Sequence, residues 1–106
     1  MAGNQVFLAA VTVAELRYGA LVAEWEANRR TRLEESIQAT TVVPVTDNLL
    51  TRVAELRFAC RRAGHPLVDR THASDLWVAA SAIHIGAPLV TADQIFRNAP
   101  GLTLLE

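Results

Sequence analysis

The chain has 106 residues, 51% hydrophobic and 20% charged, with a formal net charge of −1. That composition describes one small globular domain and excludes a disordered chain, a helix of ~20 apolar residues spanning a membrane, and a protein that holds nucleic acid by bulk positive charge. Every basic residue is Arg and there is one cysteine, Cys60, which excludes Schiff-base lysine chemistry, a phosphate-loop lysine, an internal disulfide and a multi-cysteine zinc site.

Residues 1–5 are polar and are expected to fray. No basic segment leads into an apolar core, so no secretory signal is visible and a cytoplasmic protein is expected. Residues 6–11 (VFLAAV) form an apolar run that predicts a buried strand. Thr12 and Glu15 then match a capping box, opening a helix expected to run to about Asn28. Its core face is read as Val13, Leu16, Ala20 and Ala27, with Leu21 and Trp25 beside it. A second, more exposed helix is expected over residues 29–38, contacting the core through Leu33 and Ile37.

Residues 41–45 (TVVPV) predict another strand, placed at an edge by Pro44, which has no N–H to give a ladder. Thr46 or Asp47 caps the next helix, and Gly64 closes it. Cys60 shares the apolar side of that helix with Leu49, Val53 and Leu56, the pattern of a core thiol rather than a nucleophile. An irregular connection over residues 65–72 leads to ASDLWVAASAIHIGAPLVTADQIF, residues 73–96. Here Ser74 is the expected N-cap of a helix apolar on nearly every side, hence buried. Gly86 ends it, Pro88 prevents its resumption, and residues 89–91 read as a buried parallel strand. A turn over residues 94–98 and a last strand over residues 102–105 complete an α/β pattern with a mostly parallel sheet. No glycine-rich nucleotide loop, repeat or domain boundary is visible, so residues 1–106 read as one domain.

Most of the eleven acidic residues lie in polar stretches. Glu15, Asp75 and Asp93 differ, since each follows a strand or starts a helix amid apolar sequence. Each also has a structural alternative. Glu15 can complete a capping box, Asp75 can favour the helix dipole, and Asp93 can cap the turn before Phe96. Read together they fall at the carboxyl edge of a parallel sheet, where ligands bind. Clustered carboxylates repel unless a cation or a proton sits among them, and all-oxygen ligands suit Mg²⁺ or Mn²⁺.

VTVAELRYGA (residues 11–20), SDLWVAA (74–80) and LVTADQIF (89–96) together resemble the PIN domain, and more narrowly the VapC-type toxins of bacterial type II toxin–antitoxin pairs. The resemblance covers nearly the whole chain, with three motifs in order. It implies a PIN-like three-layer α/β fold and an Mg²⁺- or Mn²⁺-dependent endoribonuclease acting on RNA, restrained by a cognate antitoxin protein. It also implies that Glu15, Asp75 and Asp93 are catalytic metal ligands, matching the second, third and fourth acidic positions of the family. Gly19, one turn from Glu15, would leave room for the RNA backbone.

PIN domains open with a strand ending in an aspartate, then a helix, well before the T-x-x-E-L motif. This chain begins at the strand leading into Thr12, so the first, central strand and first helix are expected to be lacking. Two readings follow: a ribonuclease with weak or absent activity as given, or a non-catalytic remnant that binds an antitoxin or itself. Strand edges left at such a gap would be adhesive, which makes a homodimer the expected assembly. Arg17, and the patch of Arg57, Arg61 and Arg62, are the candidate phosphate contacts. The patch has a simpler alternative as a solvated helix end. His65, His72 and His84 lack metal-ligand spacing and read as structural or exposed, although His72 lies three residues before Asp75.

Overall fold

The computed structural model describes residues 6–105 and divides into two compact units, Met1–Pro44 and Val45–Glu106. The stretch expected to fray, residues 1–5, lies outside the described residues.

In the first unit, strand β1 (Phe7–Ala9) passes directly into helix α1 (Ala10–Val22), followed by α2 (Ala27–Gln38) and β2 (Thr41–Val43). The two strands pair in parallel, Phe7 with Thr41, Leu8 with Val42 and Ala9 with Val43. The Thr41 N–H extends the ladder by donating to the Val6 carbonyl at 3.0 Å. Parallel neighbours need a long crossover, and the two helices supply it. Ala9 and Val43, at the carboxyl ends of the strands, are the buried pair.

The capping box does not form. Ala9 occupies the N-cap with no side-chain hydrogen bond, and Thr12 is already inside the helix. The reason lies in residues 9 and 10: alanine has the highest helix propensity, so the chain turns helical as soon as strand pairing ends. The far end of α1 also comes early. Glu24 takes the left-handed conformation (φ 54°), its N–H bonds Leu21 O, and the Trp25 N–H bonds Ala20 O at 3.0 Å. This is a Schellman closure without glycine, and so without its usual sequence signal. The Arg29 guanidinium then lies 3.8 Å from the centre of the Trp25 ring, at the start of α2. The buried face of α1 is narrow, Val13 and Ala20. Leu16 and Leu21, expected inside, are exposed.

The second unit is built on α3 (Asp47–Ala63) and α4 (Ala73–Ile85). Both ends of α3 follow the sequence reading. Thr46 Oγ1 accepts the Leu49 N–H at 3.2 Å, and Gly64 takes φ 67° while the His65 N–H reaches Cys60 O at 2.8 Å. Gly86 ends α4 the same way, with φ 68° and the Ala87 N–H on Ala82 O. Ser74 is not the N-cap of α4. The short 3₁₀ turn Arg70–His72 runs straight in, the Ala73 N–H is taken by the Arg70 carbonyl, and His72 occupies the cap position. Local carbonyls thus satisfy an end that the sequence offered a serine to satisfy.

The core of this unit gathers Leu56 and Cys60 of α3, Leu67, then Leu76, Ala79 and Ala80 of α4, with Phe96 and Ala99. Ala79 and Ala80 are completely buried, so α4 presents almost bare backbone to its neighbours. Burial pushes the Cys60 thiol up from its ordinary pKa, as befits a core thiol. The two C-terminal strand expectations reduce to one parallel bridge, Leu89 to Leu104, held by Leu89 N–H to Thr103 O (2.8 Å) and Leu105 N–H to Leu89 O (3.0 Å). Val90 is 73% exposed, which corrects the reading of a buried strand.

Helices α1 and α2 are tied by a bidentate pair: Arg17 Nε to Glu34 Oε2 at 3.0 Å and Nη2 to Oε1 at 2.8 Å. The Arg17 guanidinium holds the Glu34 carboxyl below its usual pKa, chiefly through these hydrogen bonds. A carboxyl whose pKa is lowered on folding contributes stability at neutral pH and loses it as pH falls through its folded value. An NMR titration should therefore find Glu34 ionising below the usual carboxylate range, and Arg17→Ala should return it to that range. An unchanged Glu34 titration in the variant would show the pair is not formed in solution.

Candidate active site

Of the three acidic residues, Asp75 and Asp93 stand where an element or a turn opens, whereas Glu15 lies inside α1. Glu15 is exposed on α1, one turn before Gly19. A Cβ added at Gly19 would meet nothing within 4 Å, so the surface beside Glu15 is open. Asp75 sits in the first turn of α4, where a carboxylate interacts favourably with the helix dipole. Its Oδ2 lies 3.3 Å from His72 Nδ1, and both side chains are about a third exposed, 35% and 34%. With its proton on Nδ1, His72 donates to Oδ2 and leaves Oδ1 outside this hydrogen bond. Its place three residues before Asp75 is thus a contact.

Asp93 realises its structural alternative. Its Oδ1 accepts the Ile95 N–H at 3.0 Å, capping the 3₁₀ turn Gln94–Phe96, while its own N–H is held by Thr91 Oγ1 at 3.0 Å. Oδ2 stays outside the cap, so the capping role and a ligand role do not exclude each other. Glu15 belongs to the first unit, Asp75 and Asp93 to the second. Among the described residues of either unit, no group of three or more His, Cys, Asp or Glu side chains could hold a metal ion. In kind, the donors fit a hard divalent cation: three carboxylates, each with an oxygen that makes no hydrogen bond among the described residues.

The arginines sort differently from the sequence reading. Arg17, nearest to Glu15 in sequence and a candidate phosphate contact, is engaged by Glu34 in an exposed ion pair. Arg62 lies over the Phe58 ring at 5.8 Å. Arg57 and Arg61 are exposed with no acidic partner among the described residues.

Of the two alternatives for His65, structural or exposed, the structure shows the first. His65 is buried, its Nδ1 accepting the Leu67 N–H at 3.1 Å and its Nε2 lying 2.7 Å from the Arg97 carbonyl. Those partners fix the tautomer: the proton must be on Nε2 to reach a carbonyl, leaving Nδ1 free to accept. A 32-residue separation leaves no local sequence signal for this bond.

The PIN domain family model matches residues 1–102. Ribonuclease VapC5 of Mycobacterium tuberculosis (strain ATCC 25618 / H37Rv) is 33% identical over 105 residues, covering 97% of this chain and 75% of that protein. A solved chain in the crystal structure of VapBC2 from Rickettsia felis, bound to a DNA fragment from their promoter, is similar in fold. Its TM-score is 0.79 at 23% identity, covering 97% of this chain and 75% of the solved one.

The dual use of Asp93 can be separated. Asp93→Asn keeps an oxygen for the Ile95 N–H and should leave stability within a few tenths of a kcal/mol, whereas Asp93→Ala should cost about 0.5–1 kcal/mol in urea unfolding, as for lost caps generally. Equal destabilisation by both would show that the cap is not what holds this turn.

Proposed function

On the premise that the chain belongs to the PIN-domain family, we propose that it is a VapC-type ribonuclease, the toxin of a toxin–antitoxin pair. It hydrolyses RNA phosphodiesters with the help of Mg²⁺ or Mn²⁺. The observation that carries this reading is its 33% identity with Ribonuclease VapC5 across 97% of the chain. The likeness to a VapBC2 chain is consistent with a cognate antitoxin as partner. Residues 1–106 act as one PIN-like domain, in the cytoplasm where RNA is found, with a second copy of the chain as the expected partner in a homodimer. No helix among the described residues is long and apolar enough to cross a membrane.

Glu15, Asp75 and Asp93 are assigned as the metal ligands. The cation they would hold supplies acidity to a bound water and offsets charge building on the phosphate. The chain's own residues do the rest. His72 orients the Asp75 carboxylate through its Oδ2, the common role of an outer partner to a ligand. Thr91 and the backbone of Ile95 fix Asp93. Gly19 keeps the surface next to Glu15 free of a side chain, which leaves room for an RNA backbone.

A second reading, a non-catalytic domain that binds an antitoxin or itself, is favoured by one observation: neither unit alone assembles three metal-ligating side chains among the described residues. Cleavage separates the two. A structured RNA incubated with the chain should be cut with Mg²⁺ or Mn²⁺, be spared when the metal is chelated, and be cut at least ~10–100-fold more slowly by Asp75→Asn. Metal-dependent cleavage unaffected by Asp75→Asn would remove Asp75 from the site, and no cleavage at all by the parent chain would favour the binding-only reading.

A further inference from the structure

The exposed side of α3 carries a stripe that the nuclease reading does not use. Leu50, Ala54, Arg57 and Arg61 follow at steps of four, three and four, which places them along one line of the helix surface. Val53 and Phe58 flank that line, and Val68 and Trp77 border it, around an open groove of about 500 Å³. Leu50 and Phe58 are both exposed, Phe58 at 59%. One end of the groove is therefore aliphatic and the other cationic. The other α3 arginines are occupied, Arg52 by Glu55 at 3.6 Å and Arg62 by the Phe58 ring. Arg57 and Arg61, one turn apart, have no acidic partner among the described residues.

We propose that this groove docks an acidic amphipathic helix of a partner protein. Its apolar residues would lie over Leu50, Val53 and Phe58, and two carboxylates one turn apart would meet Arg57 and Arg61. Charge complementarity selects that occupant. A guanidinium pair at i, i+4 matches a Glu or Asp pair at the same spacing, and helix-in-groove recognition uses apolar anchors at i, i+4 and i+7. A second copy docking through the same face would set the arginines against each other or, run antiparallel, against the aliphatic end, and neither arrangement gives them an anion. Single-stranded RNA would use the two arginines but has no use for Leu50, Val53 and Val68, since bases stack on rings rather than on aliphatic side chains. The surface goes beyond the nuclease reading and does not depend on RNA cleavage.

The test uses the whole chain and a fluorescein-labelled designed helical peptide of about four turns, with Leu at i, i+4 and i+7 followed by a Glu pair at i, i+4. Fluorescence anisotropy should show saturable binding, weakened about tenfold or more by Arg57→Glu with Arg61→Glu. A peptide with Lys in place of the Glu pair should recover binding to that double variant and not to the parent chain. Leu50→Ser should weaken the acidic peptide while circular dichroism stays unchanged. Several results would overturn the proposal. They are equal binding of the Glu and Lys peptides by the parent chain, no binding of the Glu peptide, displacement of the peptide by oligouridylate, or a concentration-dependent dimer that Leu50→Ser abolishes. None of these readouts depends on nuclease activity.

Discussion

The second unit depends on how closely α4 can approach what surrounds it. Ala79 and Ala80 are fully buried, with Leu76 beside them, and Leu56, Cys60, Leu67 and Phe96 close over that surface. A helix of small side chains gains its stability from close contact, because interiors pack at crystal-like density and a larger residue at either alanine would have to displace a neighbour. The same helix carries Asp75 in its first turn, where burial gives way to partial exposure. A carboxylate cannot be sunk among apolar groups without losing its charge or gaining a partner. The first turn is where α4 can carry one, with His72 beside it. The buried body fixes where the carboxylate stands, and the wet end lets it remain an anion.

Asp93 depends on the same packing at one remove. The 3₁₀ turn that it caps ends at Phe96, a member of the core around α4, and the following backbone is tied down where the Arg97 carbonyl meets His65. His65 is itself held by the Leu67 N–H, next to a leucine with no exposed surface. A single neutral imidazole thus joins the end of the α3 closure to the segment after Asp93. Its two hydrogen bonds are satisfied together in only one tautomer, which makes it a structural histidine.

What the sequence made legible were features whose chemistry is local. Thr46 caps α3, Gly64 and Gly86 close their helices in the left-handed conformation, and Cys60 lies inside with Leu49 and Leu56, all as the residue types require. The parallel pairing of β1 with β2 follows from two apolar runs separated by helices. Illegible were features in which a neighbour supplied what a side chain could have. Ser74 is displaced as a cap by the carbonyl of Arg70, and Thr12 by the early helical turn at Ala10. The Schellman closure at Glu24 carries no glycine, so nothing in the sequence marks the end of α1 at Val22. Of the candidate site, the turn-capping role of Asp93 and the closeness of His72 to Asp75 were both readable from spacing. The capture of Arg17 by Glu34 was not, because it joins residues of two helices 17 positions apart.

The proposed function requires Glu15, Asp75 and Asp93 to serve one divalent cation. Manganese tests that directly, because its paramagnetism broadens the NMR signals of nuclei near it whether or not RNA is cut. Titrating the ¹⁵N-labelled chain with Mn²⁺ should broaden the amides around Glu15, Asp75 and Asp93 together, at one stoichiometric concentration, and Asp75→Asn should weaken the effect at all three. Broadening confined to one of the three segments, or spread over all exposed carboxylates alike, would contradict it.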